Sequence, residues 1–135
     1  MGTVAQMERR LFMARDLNGK HIVIIGATGV LGGHLATKLV AQGARVSAIV
    51  RDATRLNSAT VTNHAIADIT DTESLRAAFT SLAPLDGVIN AAGVVAFGTL
   101  AELNDATLKN LFAVNSIAPI VALRESTPYI SEGGF

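Results

Sequence analysis

From His21 to Ile25 the chain is apolar without alternation, with Ile22, Val23, Ile24 and Ile25 in succession, the pattern of a strand covered on both faces of a parallel sheet. Leu31, Leu35 and Leu39 then recur at every fourth position, with Ala36 and Val40 beside them, so the period changes to that of an amphipathic helix that Gly43 is placed to cap. Arg45 to Val50 reads as a second strand, His64 to Ala67 as a third and Leu85 to Asn90 as a fourth. Between the last two, Leu75, Ala78, Phe79 and Leu82 mark a helix that Thr70 and Glu73 start as a capping box, with Asp71 a helix-start acid and Pro84 beyond the end. Asn104 or Asp105 begins a long helix with Leu108, Leu111, Phe112, Ala118 and Ala122 facing inward, bent by Pro119. Glu132-Gly133-Gly134-Phe135 stops it and opens a fifth strand. Upstream, Val4, Met7, Leu11 and Ala14 recur at near-helical spacing, which makes residues 1–17 a short amphipathic arm and Asn18-Gly19 the turn that launches the first strand.

Strands alternating with helices predict an α/β fold, a doubly wound parallel sheet of order 3-2-1-4 built from right-handed crossovers. Its ligand crevice lies beside strands 1 and 4, where the winding reverses. A chain of 135 residues, half of them hydrophobic, suffices for one domain or part of one. Residues 18–135 are that domain, incomplete on its C-terminal side.

The junction of strand 1 and the first helix carries the chemistry. Gly26, Gly29 and Gly32 recur at every third position around Thr28, Val30 and Leu31, letting the backbone turn tightly, approach a pyrophosphate closely and pack the new helix on the strand. The helix N-terminus adds free N–H groups and partial positive charge. At the tip of strand 2, where such a sheet meets the adenosine ribose, stand Arg51 and Asp52. A carboxylate at the tip would accept from the free 2′-OH of NAD, whereas a guanidinium forks onto the 2′-phosphate of NADP. Val50 is not acidic and Arg51 is basic, so NADP is expected over NAD, with Asp52 capping the turn through Arg55 and Leu56. Asp68, followed by Ile69, closes strand 3 at the same sheet edge, where it could accept from the adenine amino group. Asn90-Ala91-Ala92-Gly93 ends strand 4 with small residues on which a ring or sugar could lie close to the backbone. Asn115 falls in register with the apolar face of the long helix, as a structural tie or as part of an active site.

Composition removes other classes. Eleven basic residues balance eleven acidic ones, which leaves no electrostatic footprint for nucleic acid or an anionic membrane. There is no cysteine, hence no disulfide or thiolate-held metal, which fits a reducing cytoplasm. No apolar run looks long enough to span a bilayer and residues 1–18 do not resemble a secretory signal, so a cytoplasmic protein is expected. His21, His34 and His64 are too scattered for a metal site.

With the glycine loop, the Arg51 turn, Asp68, the Asn90 to Gly93 segment and Asn115 in order, the chain from Leu17 to Phe135 resembles the short-chain dehydrogenase/reductase family. The resemblance implies a pyrophosphate on the glycine loop, adenine at Asp68, the nicotinamide ribose beside Asn90, Ala91, Ala92 and Gly93, and in Asn115 the helix asparagine that supports a proton relay. It also implies hydride transfer between NADP(H) and a carbonyl or alcohol, a small-molecule substrate and a homo-oligomer. The glycine spacing matches the extended and atypical branches, and Asn90 to Gly93 the single-domain branch. The family's catalysis rests on a serine, a tyrosine and a lysine four residues after that tyrosine, and Tyr129 has Gly133 there. The expectation is therefore the cofactor-binding front half of a reductase, with a non-catalytic NADP-binding sensor or interaction domain as the rival. A methyltransferase is disfavoured, since its nucleoside ribose would want an acid where Val50 and Arg51 stand.

Overall fold

The computed structural model describes residues 16–135; the helical pattern over Val4, Met7, Leu11 and Ala14 lies outside them. Four strands, β1 (His21–Ile25), β2 (Arg45–Val50), β3 (Asn63–Ile66) and β4 (Gly87–Asn90), form one sheet in the order β3-β2-β1-β4 with every pairing parallel. Helices α1 (Val30–Ala41) and α2 (Thr72–Leu82) make the first crossovers, and a longer helical run follows β4. The expected strand order is the observed one.

Burial explains the uniform apolar character of β1. Ile22 and Ile24 belong to the core on the α1 side, with Ala36, Leu39, Val46 and Ala48, while Val23 and Ile25 belong to the opposite core, with Leu75, Phe79 and Leu85. A strand sandwiched between two helical layers has no polar face to alternate with. The other end of the strand is tied by polar bonds. His21 is buried, its Nδ1 bonded to the Pro84 carbonyl and its Nε2 to Ser47 Oγ, both at 2.8 Å. A carbonyl oxygen only accepts, so Nδ1 carries the proton toward Pro84.

Several local expectations shift. In α1 the buried residues are Gly32, Ala36 and Leu39, and Leu31 is exposed, because the stripe rotates toward the small side chains that let the helix approach the sheet. Gly43 does follow the helix, at φ +83° with its N–H on the Val40 carbonyl. Asp71, not Thr70, caps α2: its Oδ1 accepts from the amides of Glu73 (3.0 Å) and Ser74 (3.2 Å), while the Thr70 hydroxyl is drawn back to Asp68. The reciprocal Thr and Glu pairing occurs at Thr99 and Glu102 instead.

The last helical run comprises α3 (Asp105–Phe112), a π-helical turn (Ala113–Ile117) and α4 (Ala118–Ser126), continued by a 3₁₀ turn to Tyr129. Asn104 caps it through Thr107 N–H at 2.9 Å. The π turn precedes Pro119, whose missing N–H and bulky ring favour a widened register there. Asp105–Tyr129, 25 residues with a mean hydropathy of 1.4 in its most apolar window, is long and apolar enough to cross a membrane by length and composition, contrary to the sequence expectation. Ala118 and Ala122 are buried in the core that α2 shares, while Leu108 and Phe112, expected inward, are exposed together with Ile117, Ile120 and Leu123. Beyond it the chain returns along β4: Ser131 N–H reaches the Leu85 carbonyl (2.8 Å), Phe135 N–H the Asp86 carbonyl (3.0 Å) and Val88 N–H the Phe135 carbonyl (2.8 Å). The β4 edge is covered over this part, where the sequence predicts the opening of a fifth strand.

Candidate functional site: a cleft at the carboxyl edge of the sheet

The ends of all four strands open into one cleft of about 470 Å³. Its first wall is the glycine turn, and the three glycines have three different reasons to lack a side chain. Gly26 adopts φ +85°, and a Cβ there would sit 2.7 Å from the Ala92 backbone nitrogen, so the turn and the exit of β4 touch only through glycine. Gly32 is buried, and a Cβ on it would run into the Gly26 carbonyl oxygen, which fixes how closely α1 meets the turn. Gly29 is exposed, lines the cleft and is the N-cap of α1 without any side-chain cap. The amides of Val30 and Leu31 therefore begin a helix with no intrahelical acceptor. Their side chains are exposed, 95% and 61%, and line no part of the cleft, nor does Gly32.

The second wall is polar. Arg51, Asp52 and Arg55 follow β2, and Asp68, Ile69 and Thr70 follow β3. The Asp68 Oδ1 accepts from the Thr70 amide (2.8 Å) and hydroxyl (2.7 Å). Those bonds, the hydroxyl first, hold the Asp68 carboxyl below the usual carboxylate range, with Arg51 adding to the effect. The Asp52 Oδ1 accepts from the Thr54 amide at 2.9 Å, and that contact, then the Thr54 hydroxyl and Arg55, likewise lowers its pKa. Asp52 thus turns the chain as expected, but it also lies on the cleft wall.

The third wall is the exit of β4. Ala91, Ala92 and Gly93 line it with Val94, and Asn110 and Val114 reach it from the long helical run. Asn90 is not on the wall; its Oδ1 accepts from Ala92 N–H at 3.0 Å and shapes the bend. Asn115, expected on the buried face, is exposed and also off the wall. Val114, Ala118 and Ala122 pack against the core, which leaves the Asn115 amide one position aside, over the strand exit. There the Asn115 Oδ1 accepts from Val94 N–H (2.9 Å) and Nδ2 donates to the Val94 carbonyl (2.8 Å). Of the residues expected at the site, the cleft gathers Gly26, Thr28, Gly29, Arg51, Asp68, Ile69, Ala91, Ala92 and Gly93. Arg55, Thr70, Val94, Asn110 and Val114 join them unforeseen, and only Val114 had a sequence signal, its place in the helical stride. Tyr129 stands elsewhere, stacked near Phe79 with ring centroids 6.2 Å apart and its hydroxyl 2.8 Å from Thr80 Oγ1.

Comparisons with known proteins place the chain in one family. Residues 20–134 match the family model described as short chain dehydrogenase. Galactitol 2-dehydrogenase (L-tagatose-forming) of Cereibacter sphaeroides is 32% identical over 108 residues, covering 73% of this chain and 42% of that protein. A short chain dehydrogenase from Burkholderia cenocepacia J2315 in complex with NADP superposes with a TM-score of 0.78 at 28% identity, over 89% of this chain and 54% of that one. A blue fluorescent protein from a metagenomic library in complex with NADPH gives a TM-score of 0.75 at 27% identity, over 89% and 55%. The chain spans about half the length of these relatives. Its parallel sheet, its glycine turn and the match over nearly all of its described length make it a member of the short-chain dehydrogenase family.

Proposed function

We propose that this chain supplies the NADP(H)-binding half of an oxidoreductase that interconverts a carbonyl and an alcohol. The observation that carries the reading is the convergence on one cleft of an uncapped helix N-terminus at Gly29, a guanidinium at Arg51 and a locally satisfied carboxylate at Asp68. The residues fit the cofactor: the side-chain-free turn leaves space at Gly29, where an added Cβ would meet only the Gly26 carbonyl oxygen at 3.4 Å. The amides at the start of α1 would hold the pyrophosphate. Asp68 would accept from the adenine amino group, with Ile69 beside it, and Ala91, Ala92 and Gly93 would leave room for the nicotinamide ribose. Asn90 and Asn115 would act at one remove, by fixing the backbone at Ala92 and Val94. When bound, the nicotinamide supplies or accepts the hydride.

Hydride transfer to a carbonyl also needs a proton donor of suitable pKa. Among the described residues no tyrosine reaches the cleft, so the proton would come from the family's tyrosine and lysine, for which Tyr129 is no stand-in. The rival reading, a non-catalytic NADP sensor, draws on that same observation. Exposed Ile117, Ile120 and Leu123 favour a homo-oligomer under either reading, and a cysteine-free chain fits a cytoplasmic setting.

Calorimetric titration of wild type and Arg51→Ala with NADP⁺ and NAD⁺ tests the cofactor assignment. A charge-assisted contact of about 1.5–3 kcal/mol predicts at least about tenfold tighter NADP⁺ binding by wild type, lost in the variant. Equal affinities in wild type would refute it.

A further inference from the structure

A second cleft, of about 490 Å³, opens at the amino edge of the sheet, and no residue lines both it and the cleft at the carboxyl edge. Strand pairing builds its floor. His21 stands beside Arg45 and Ser47 beside Asn63 in the parallel register, and such partners share a face, here the one that Val23 and Ile49 turn toward α2. The end of α2 closes the cleft through Ser81 and Pro84. Its hydroxyls are spent inward: Ser47 bonds the His21 Nε2 at 2.8 Å, Thr62 donates to the Val46 carbonyl at 3.1 Å and Ser81 to the Ala78 carbonyl at 2.8 Å. What stays unspent is N–H. Among the described residues the Arg45 guanidinium makes no hydrogen bond or ion pair, whereas Lys20, Arg76 and Arg124 all pair with carboxylates. Asn63 uses only its Oδ1, which accepts from His64 N–H at 2.9 Å, and no carboxylate of the described residues lines the cleft.

The last turn of α2 has the opposite need. Pro84 has no N–H, the Leu85 N–H goes to the Tyr129 carbonyl and the Asp86 N–H to the His21 carbonyl, so the carbonyls of Thr80, Ser81 and Leu82 end the helix without the donors of a continued ladder. No basic side chain stands in that turn. We propose that the amino-edge cleft is a second ligand site, for a small carboxylate that carries a hydrogen-bond donor on the neighbouring carbon. Arg45 and Asn63 hold the carboxylate, and the end of α2 takes the donor. A guanidinium forks onto both oxygens of a carboxylate, and the Asn63 Nδ2 adds N–H groups beside it. The partial negative charge at the end of α2 disfavours a phosphate dianion and favours a hydroxyl or ammonium group.

Titration of the full chain with sodium acetate, lactate, alanine and inorganic phosphate, at fixed pH and ionic strength, tests the site through the NMR signals of Arg45 Nε–H and the Asn63 side-chain amide. Lactate and alanine are expected to shift both saturably and to bind several-fold more tightly than acetate, with phosphate weakest and the amides of Gly29 and Arg51 unmoved. Arg45→Ala, followed at Asn63, should weaken both ligands about fivefold or more. Asn63→Asp keeps the oxygen that holds His64 N–H and replaces the donor with a negative charge, so it should lose binding while its circular dichroism stays native. If lactate and alanine leave Arg45 and Asn63 unmoved, or bind both variants as they bind wild type, there is no such site. If acetate matches them, the end of α2 takes no part, and if phosphate binds most tightly the carboxylate assignment is wrong. If wild type binds nothing and Arg45→Ala unfolds at lower urea, the guanidinium serves the helix end instead of a ligand.

Discussion

The carboxamide of Asn115 grips both backbone groups of Val94, accepting its N–H at 2.9 Å and donating to its carbonyl at 2.8 Å. Two bonds from one side chain hold the chain where it leaves β4, so the asparagine fixes one wall of the cleft from outside it. Because the site is exposed, each bond is worth little more than about 0.5 kcal/mol net, and Asn115→Ala should cost about 1 kcal/mol in urea unfolding. Its clearer signature is local: amide exchange at Val94 should accelerate while exchange in β1 does not. Unchanged exchange at Val94 would remove the tie from the account.

The glycine turn predicts a division between stability and binding. Gly26→Ala places a side chain at φ +85° and against the Ala92 backbone, and should destabilise by about 2–4 kcal/mol through strain and overpacking together. Gly29→Val should unfold at nearly the wild-type denaturant concentration and yet lose cofactor binding, since its space opens on the cleft. Gly32→Val would lose binding only by damaging the fold. Denaturant midpoints measured beside cofactor titrations separate the three, and a stable Gly32→Val that merely fails to bind would contradict the packing role given to it.

Acid should weaken the fold. The carboxyls of Asp52, Asp68, Asp86, Glu102 and Glu125 are all held below their ordinary values by hydrogen bonds. A depressed folded-state pKa contributes stability that is present above the unfolded value, near 4 for Asp and Glu, and is lost as pH falls through the folded one. Stability should thus be level near neutrality and decline below about pH 4. Thr70→Val removes the hydroxyl that contributes most at Asp68, so its carboxyl should titrate at higher pH in the variant, as followed by NMR. An unmoved Asp68 titration would show that the contact is not made in solution.

Most of the sheet could be read from the chain because burial on both faces leaves an uninterrupted apolar run such as Ile22 to Ile25, and parallel crossovers allow few strand orders. Arg51 and Asp68 could be placed because they come one and two residues after strands whose ends face the cleft. Arg55 could not, since it lies in an irregular loop whose path is set by the Asp52–Thr54 bond rather than by any period. Asn115 was legible as a special residue and misplaced by one position. Counting four residues from Leu111 and seven from Leu108 lands on Asn115, whereas the residue of that turn that packs against the core is Val114. The capping of α2 was misjudged for a local reason: Thr70 had two uses for its hydroxyl, and Asp68 took it.

The claim that the carboxyl-edge cleft is the NADP(H) site is tested most directly by following backbone amide resonances during NADP⁺ titration. Shifts should concentrate at Gly29 to Gly32, at Arg51 to Arg55, at Asp68 to Thr70 and at Ala91 to Val94. The amides of His21, Arg45 and Ser47, at the opposite edge of the sheet, should stay still. Shifts that cluster at that opposite edge, or none at a millimolar concentration of NADP⁺, would contradict the account.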